Sequence, residues 1–146
     1  MHPVSSARRQ ALFALVASPC WAWPGLGAAQ ARHPEARWFV EAESMRRLAV
    51  SWGDQSYGAV LVLDNTLVGQ GPSRVVKDRD PNAHAERVAI LDAQRRLGRQ
   101  DLGGAILYST SRPCALCEQA AARAGVARMF FGSTLQDAGQ PALAQR

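Results

Sequence analysis

His84-Ala85-Glu86 and Pro113-Cys114-Ala115-Leu116-Cys117 are the two short stretches of this chain whose residue types and spacing can do chemistry. An imidazole and two thiols make a three-ligand set for zinc. A catalytic zinc takes three protein ligands and leaves its fourth position to water, whose protons it acidifies. Glu86, two residues after the histidine, is then free to move those protons as a general base. The chemistry this implies is hydrolysis by an activated water.

Each residue also has an ordinary reading. His84 alone can be a polar residue at a helix start, and Glu86 a first-turn acid favoured by the helix dipole. Cys114 and Cys117 alone can be half of a structural zinc site or a redox pair. A structural zinc needs a fourth protein ligand. The other histidines are His2 and His33, in or beside the N-terminal segment, so no good fourth ligand is at hand. The catalytic reading is preferred on that ground.

The elements that must position these residues follow from patterning. Trp38, Ala42, Met45, Ala49 and Trp52 recur at helical spacing, which predicts a helix over roughly 35–51 with that stripe in the core. Gly58 to Leu63 reads as a buried strand, Asp64-Asn65 as a two-residue turn, and Thr66 to Val68 as the start of the return strand. Gly69 to Pro81 reads as a polar loop. Asn82 is the expected cap of a second helix, about Ala83 to Leu97, closed by Gly98. A third strand is expected at Ala105 to Thr110. Pro113 suits the first turn of a third helix, about Cys114 to Ala124, closed by Gly125. A fourth strand is expected at Val126 to Phe131. Residues 132–146 are rich in Gln, Ala, Gly and Pro and predict no element. Helix, strand, strand, helix, strand, helix, strand makes an α/β chain, a three-layer α/β/α sandwich with a central mixed sheet. Both motif halves fall at a helix N-terminus. There the positive helix ends favour thiolates, and Cys114 and Cys117, three apart, share a face.

The 146 residues suit one domain, and 47% apolar content permits a core without disulfides. The net charge is +5, and all 17 basic residues but Lys77 are arginine. They are scattered rather than striped, which gives no nucleic-acid footprint. Apart from Cys20, the cysteines are spent on the one C-x-x-C pair, so a disulfide framework is excluded. Residues 1–31 read as a secretory signal peptide. Arg8-Arg9 precede an apolar stretch from Ala11 to Val16, extended through Trp21, Trp23 and Leu26, and Ala29-Gln30-Ala31 gives small residues for cleavage. The paired arginines allow a twin-arginine signal, which exports a protein already folded around its metal. We expect a mature domain over 32–146, periplasmic or secreted, with no membrane segment after cleavage. The competing readings are an uncleaved anchor, broken by Pro19 and Pro24, or a misassigned start that leaves the protein cytoplasmic.

H-x-E…P-C-x-x-C is the signature of zinc deaminases. With these residues in place the chain resembles the cytidine deaminase-like superfamily, and within it the nucleoside deaminase branch that includes guanine deaminases and bacterial tRNA adenosine deaminases. Asp80-Pro81-Asn82-Ala83-His84-Ala85-Glu86 is similar to that branch's D-P-[TN]-A-H-A-E. Leu107-Tyr108-Ser109-Thr110 before Pro113-Cys114 is similar to its L-Y-x-T…P-C, and Arg128-Met129-Phe130-Phe131-Gly132 to its following strand. The resemblance implies that His84, Cys114 and Cys117 bind Zn2+ and that Glu86 shuttles protons. It also implies that the Cys114 amide and Glu86 hold the attacking water. The chain departs from the branch at Arg112, where Glu is usual, and at Ser73, where an Asn contacts substrate. It also ends soon after the fourth strand, where relatives continue into a fifth strand and a last helix. Ser73, Ala85, Arg112 and Pro113 are the expected substrate contacts.

The expected activity is hydrolytic removal of an exocyclic amino group from a small nucleobase or nucleoside, guanine-like, releasing ammonia, by a homodimer that does not bind nucleic acid. The rivals are a tRNA-specific adenosine deaminase with a misassigned start, and a deaminase-fold protein without catalysis.

Overall fold

The computed structural model describes residues 35–143. The leader at 1–31 lies outside the described residues. The elements run α1 (Ala36–Ser51), β1 (Gly58–Leu63), β2 (Thr66–Pro72), α2 (Ala85–Leu97), β3 (Ile106–Ser109), α3 (Ala115–Arg123), β4 (Arg128–Phe131) and β5 (Gln136–Gly139).

The strands form one mixed sheet in the order β2-β1-β3-β4-β5. β1 pairs antiparallel with β2 and β3, β3 runs parallel to β4, and β4 pairs antiparallel with β5. Asp64 and Asn65 both have positive φ, 48° and 59°, so the first hairpin closes through a two-residue turn that follows the strand twist. Alternation along the strands divides the core. Val60, Val62 and Tyr108 face α1 and pack with Ala42, Trp38 and Met45. Leu61, Leu107 and Met129 face α2 and α3 and pack with Ile90, Ala93 and Ala121. The result is the three-layer sandwich expected from the element order.

Close docking of helix on sheet depends on glycine. A Cβ on Gly71 would lie 2.0 Å from the Ala85 carbonyl oxygen, and one on Gly58 would lie 2.2 Å from that of Ala42. Gly71 therefore lets the first turn of α2 sit directly on β2, and that turn carries the histidine and glutamate.

Five expectations are corrected. The return strand β2 runs on to Pro72, so Gly69 to Pro72 pair with β1 and are not the start of a loop. Asn82 does not cap α2; His84 is the N-cap, and Asn82 instead accepts a hydrogen bond from Arg87. Pro113 precedes α3 rather than opening its first turn, because Cys114 is the N-cap. Trp52 leaves the core stripe. It follows the last turn of α1, 36% exposed, with the Lys77 ammonium 4.0 Å over its ring. The segment after β4 is not without structure: Gln136–Gly139 forms the edge strand β5, so the sheet has a fifth strand. Among the described residues no helix is long and apolar enough to cross a membrane.

Candidate metal centre

β2 ends at Pro72, and the 73–84 loop delivers His84 to the N-terminus of α2. β3 ends at Ser109, and a short loop delivers Cys114 to the N-terminus of α3. The two helices start side by side on one face of the sheet. This brings together residues thirty positions apart. The donor atoms of His84, Cys114 and Cys117 all lie within 4.8 Å of one another, and no fourth Asp, Glu, His or Cys among the described residues joins the group. His84 Nδ1 faces both sulfurs, 3.7 Å from Cys114 Sγ and 3.5 Å from Cys117 Sγ. Both cysteines are free, Cys114 exposed and Cys117 buried.

Glu86 lies in the first turn of α2 and is 5% exposed. Its Oε1 accepts a hydrogen bond of 3.0 Å from the Ser109 hydroxyl, and its Oε2 accepts one of 3.5 Å from the Cys117 thiol. Ser109 is completely buried. The sequence reading did not single it out. Its signal was a hydroxyl two residues after Leu107, on the same buried face of β3.

The donor set fits a divalent metal. Burial pushes the Cys117 thiol well above its ordinary range, and the Glu86 carboxylate beside it pushes further. A dication supplies the charge that makes the thiolates favourable there. An imidazole and two sulfurs are the soft, borderline donors zinc takes, and three protein ligands leave a position for water. A structural zinc site would close with a fourth protein ligand, and none is present among the described residues.

A cleft of 420 Å³ opens onto this centre. His84, Ala85, Glu86 and Cys114 face it from the two helix starts. Gln55 and Tyr57 line it from the α1–β1 connection, and Ser111 and Arg112 from the β3–α3 loop. Ala85 and Arg112, two of the expected substrate contacts, border this cleft. Pro113 is half-buried beside them but outside the lining. Ser73 is not in the cleft: it is fully buried, and its hydroxyl donates to Asp54 Oδ1 at 2.9 Å. Gln55 and Tyr57 were missed, because nothing in their spacing marks the segment before a strand as a wall. A larger depression of 490 Å³ lies between β2 and α2, lined by Arg74, Asp78, Asp92 and Arg95 among others. It holds no such cluster of metal donors, so the smaller cleft is the candidate site.

The model of the cytidine and deoxycytidylate deaminase zinc-binding region matches residues 33–133. The chain belongs to this zinc-binding deaminase family. Members of the family are hydrolytic enzymes that act on nucleobases or nucleosides. The chain is 31% identical over 102 residues to a tRNA-specific adenosine deaminase of Buchnera aphidicola subsp. Baizongia pistaciae, covering 69% of this chain and 63% of that protein. It is 36% identical over 84 residues to the guanine deaminase of Bacillus subtilis, covering 58% of this chain and 54% of that protein. The chain thus spans between half and two thirds of these relatives' lengths. The solved structure of Bacillus subtilis guanine deaminase superposes with a TM-score of 0.65 at 31% identity, over 68% of this chain and 64% of that one. As in the sequence reading, His84, Cys114 and Cys117 are the residues positioned to bind the zinc of this deaminase domain.

Proposed function

We propose that this zinc deaminase removes an exocyclic amino group from a small nucleobase or nucleoside, a guanine-like purine first, and releases ammonia. One observation carries the reading. A buried carboxylate, Glu86, stands beside the metal donors without joining them, oriented by the Ser109 hydroxyl. His84, Cys114 and Cys117 would hold a zinc ion, which would supply an acidified water. Glu86 accepts a proton from that water and delivers it to the ring nitrogen next to the attacked carbon. It then carries the second proton to the leaving amine. The water oxygen bonds to the ring carbon, the exocyclic C–N bond breaks, and the ring retains an oxo group. Burial of Glu86 keeps bulk water from competing for these protons. Arg112 at the rim offers a guanidinium to acceptor groups of the ring or sugar.

The guanine-like substrate is supported by the likeness to Bacillus subtilis guanine deaminase. The likeness to tRNA-specific adenosine deaminases favours a second reading, conversion of adenosine to inosine in a tRNA. The scattered charge and the leader-like residues 1–31 speak for the small substrate in an exported protein.

The test is ammonia release from guanine, adenine, adenosine, cytosine and cytidine, beside inosine formation in a tRNA anticodon arm. Glu86→Ala is expected to abolish release with zinc still bound, a loss of about 100-fold or more. Wild-type turnover in that variant overturns the assigned proton role. Silence on every substrate at full zinc occupancy favours a deaminase fold without catalysis.

A further inference from the structure

Asp54 lies in the connection between α1 and β1 and spends both carboxylate oxygens on fixing that segment. Oδ1 accepts from the Gln55 amide at 2.7 Å and the Ser73 hydroxyl at 2.9 Å. Oδ2 accepts from the amides of Val76 at 2.9 Å and Lys77 at 2.8 Å. The Ser73 amide donates to the Tyr57 carbonyl at 3.1 Å, a second tie between the same two segments. One side chain therefore joins the stretch that carries Gln55 and Tyr57 to the loop that ends at His84.

Among the described residues, Gln55 and Tyr57 are the cleft's only lining residues from outside the two motif-bearing regions. Both are exposed, Tyr57 by 46%, so a carboxamide and a phenol ring are free to meet a ligand. Their backbone has no regular structure of its own to hold it. The Asp54 clamp supplies what a helix or strand would otherwise supply.

We propose that Asp54 is a positioning residue for substrate. It sets Gln55 and Tyr57 as the wall that receives a planar heteroaromatic ring, Tyr57 offering a face for stacking and Gln55 a donor and acceptor for the ring edge. This rests on the deaminase reading above. It also accounts for Ser73, whose hydroxyl serves the clamp and not the cleft.

Asp54→Asn tests it, because asparagine keeps the shape but turns an NH2 group toward backbone N–H donors and breaks part of the clamp. In the zinc-loaded full chain KM is expected to rise about 10-fold with kcat within about 2-fold, the mark of lost ground-state binding. Calorimetry of the same base and nucleoside panel on the Glu86→Ala protein reads the wall without turnover, and Asp54→Asn is expected to weaken binding there about 10-fold. In a Gln55→Ala, Tyr57→Ala background the Asp54→Asn effect should vanish, since contacting residues are non-additive. Ser73→Ala removes one arm only and gives a smaller shift in the same direction, which serves if Asp54→Asn folds poorly. Ammonia release with KM and affinity untouched by both variants overturns the proposal and leaves the deaminase reading standing. Clamp-sensitive binding without ammonia from any substrate does the reverse. Parallel loss of kcat, zinc and melting temperature makes Asp54 merely structural and also overturns it.

Discussion

The Ser109 hydroxyl donates to Glu86 Oε1 across 3.0 Å, joining the end of β3 to the first turn of α2 inside the protein. This hydrogen bond fixes which way the carboxylate points. Its other oxygen is left toward Cys117 and the metal donors. Ser109→Ala should lower kcat about 10-fold, the usual size for a residue that orients an active group, with zinc content unchanged. Steady-state rates beside metal analysis check this. An unaltered kcat would remove Ser109 from the machinery.

Gly71 is the contact on which α2 rests. Ala at this position meets the Ala85 carbonyl oxygen at 2.0 Å and the Ala89 amide nitrogen at 2.5 Å, both backbone atoms that cannot step aside. Gly71→Ala should destabilise the fold by about 2–3 kcal/mol. It should also cost activity, because His84 and Glu86 ride on the displaced helix. Denaturant unfolding gives the first number; unchanged stability would mean the helix shifts freely.

Metal removal should lower both activity and stability. A chelator is expected to strip zinc, abolish ammonia release and drop the melting temperature by about 5 °C or more, since the ion binds only the folded arrangement. Added zinc should restore both. Cys117→Ala should behave like the chelated protein and not recover. Full turnover of metal-free protein would end the zinc reading.

Acid should open the Asp54 clamp. Burial pushes this carboxyl up, but the donors from Lys77, Gln55, Ser73 and Val76 outweigh it, so the group lies below its ordinary 3.8. A depressed carboxyl contributes stability that is present above the unfolded value and is lost as pH falls through the folded one. Stability should therefore decline below about pH 4. Asp78 and Asp137, held down by Arg74 and Arg128, add to the same slope, weakly because they are exposed and screened. Unfolding between pH 5 and 2 should show a shallower slope in Asp54→Asn. An equal slope would place the acid sensitivity elsewhere.

The leader reading predicts a mature chain that starts near Arg32 in the exported fraction, measurable by intact mass. Arg8→Lys together with Arg9→Lys should block export if the twin-arginine route is used. A protein that keeps Met1 and stays in the cytoplasm would return weight to the tRNA reading.

What the sequence determined by itself was local. Two-residue spacing set His84 beside Glu86, three-residue spacing set Cys114 beside Cys117, and a helical period, short apolar runs and the Pro, Gly and cap residues that bound them placed α1, β1, α2, β3, α3 and β4 to within a few residues. Such features depend on near neighbours in the chain, so they can be read from it. The edge strand β5 escaped notice because Gln136–Gly139 is polar and half-exposed, and its only reason to be extended is the partner β4. Tertiary structure alone decided that the two motif halves meet at one point, that Ser109 orients Glu86, and that Ser73 turns from the cleft to Asp54. Each of these joins segments distant in sequence, and the geometry of such a contact is set by how sheet and helices pack, information that no short window of residues contains.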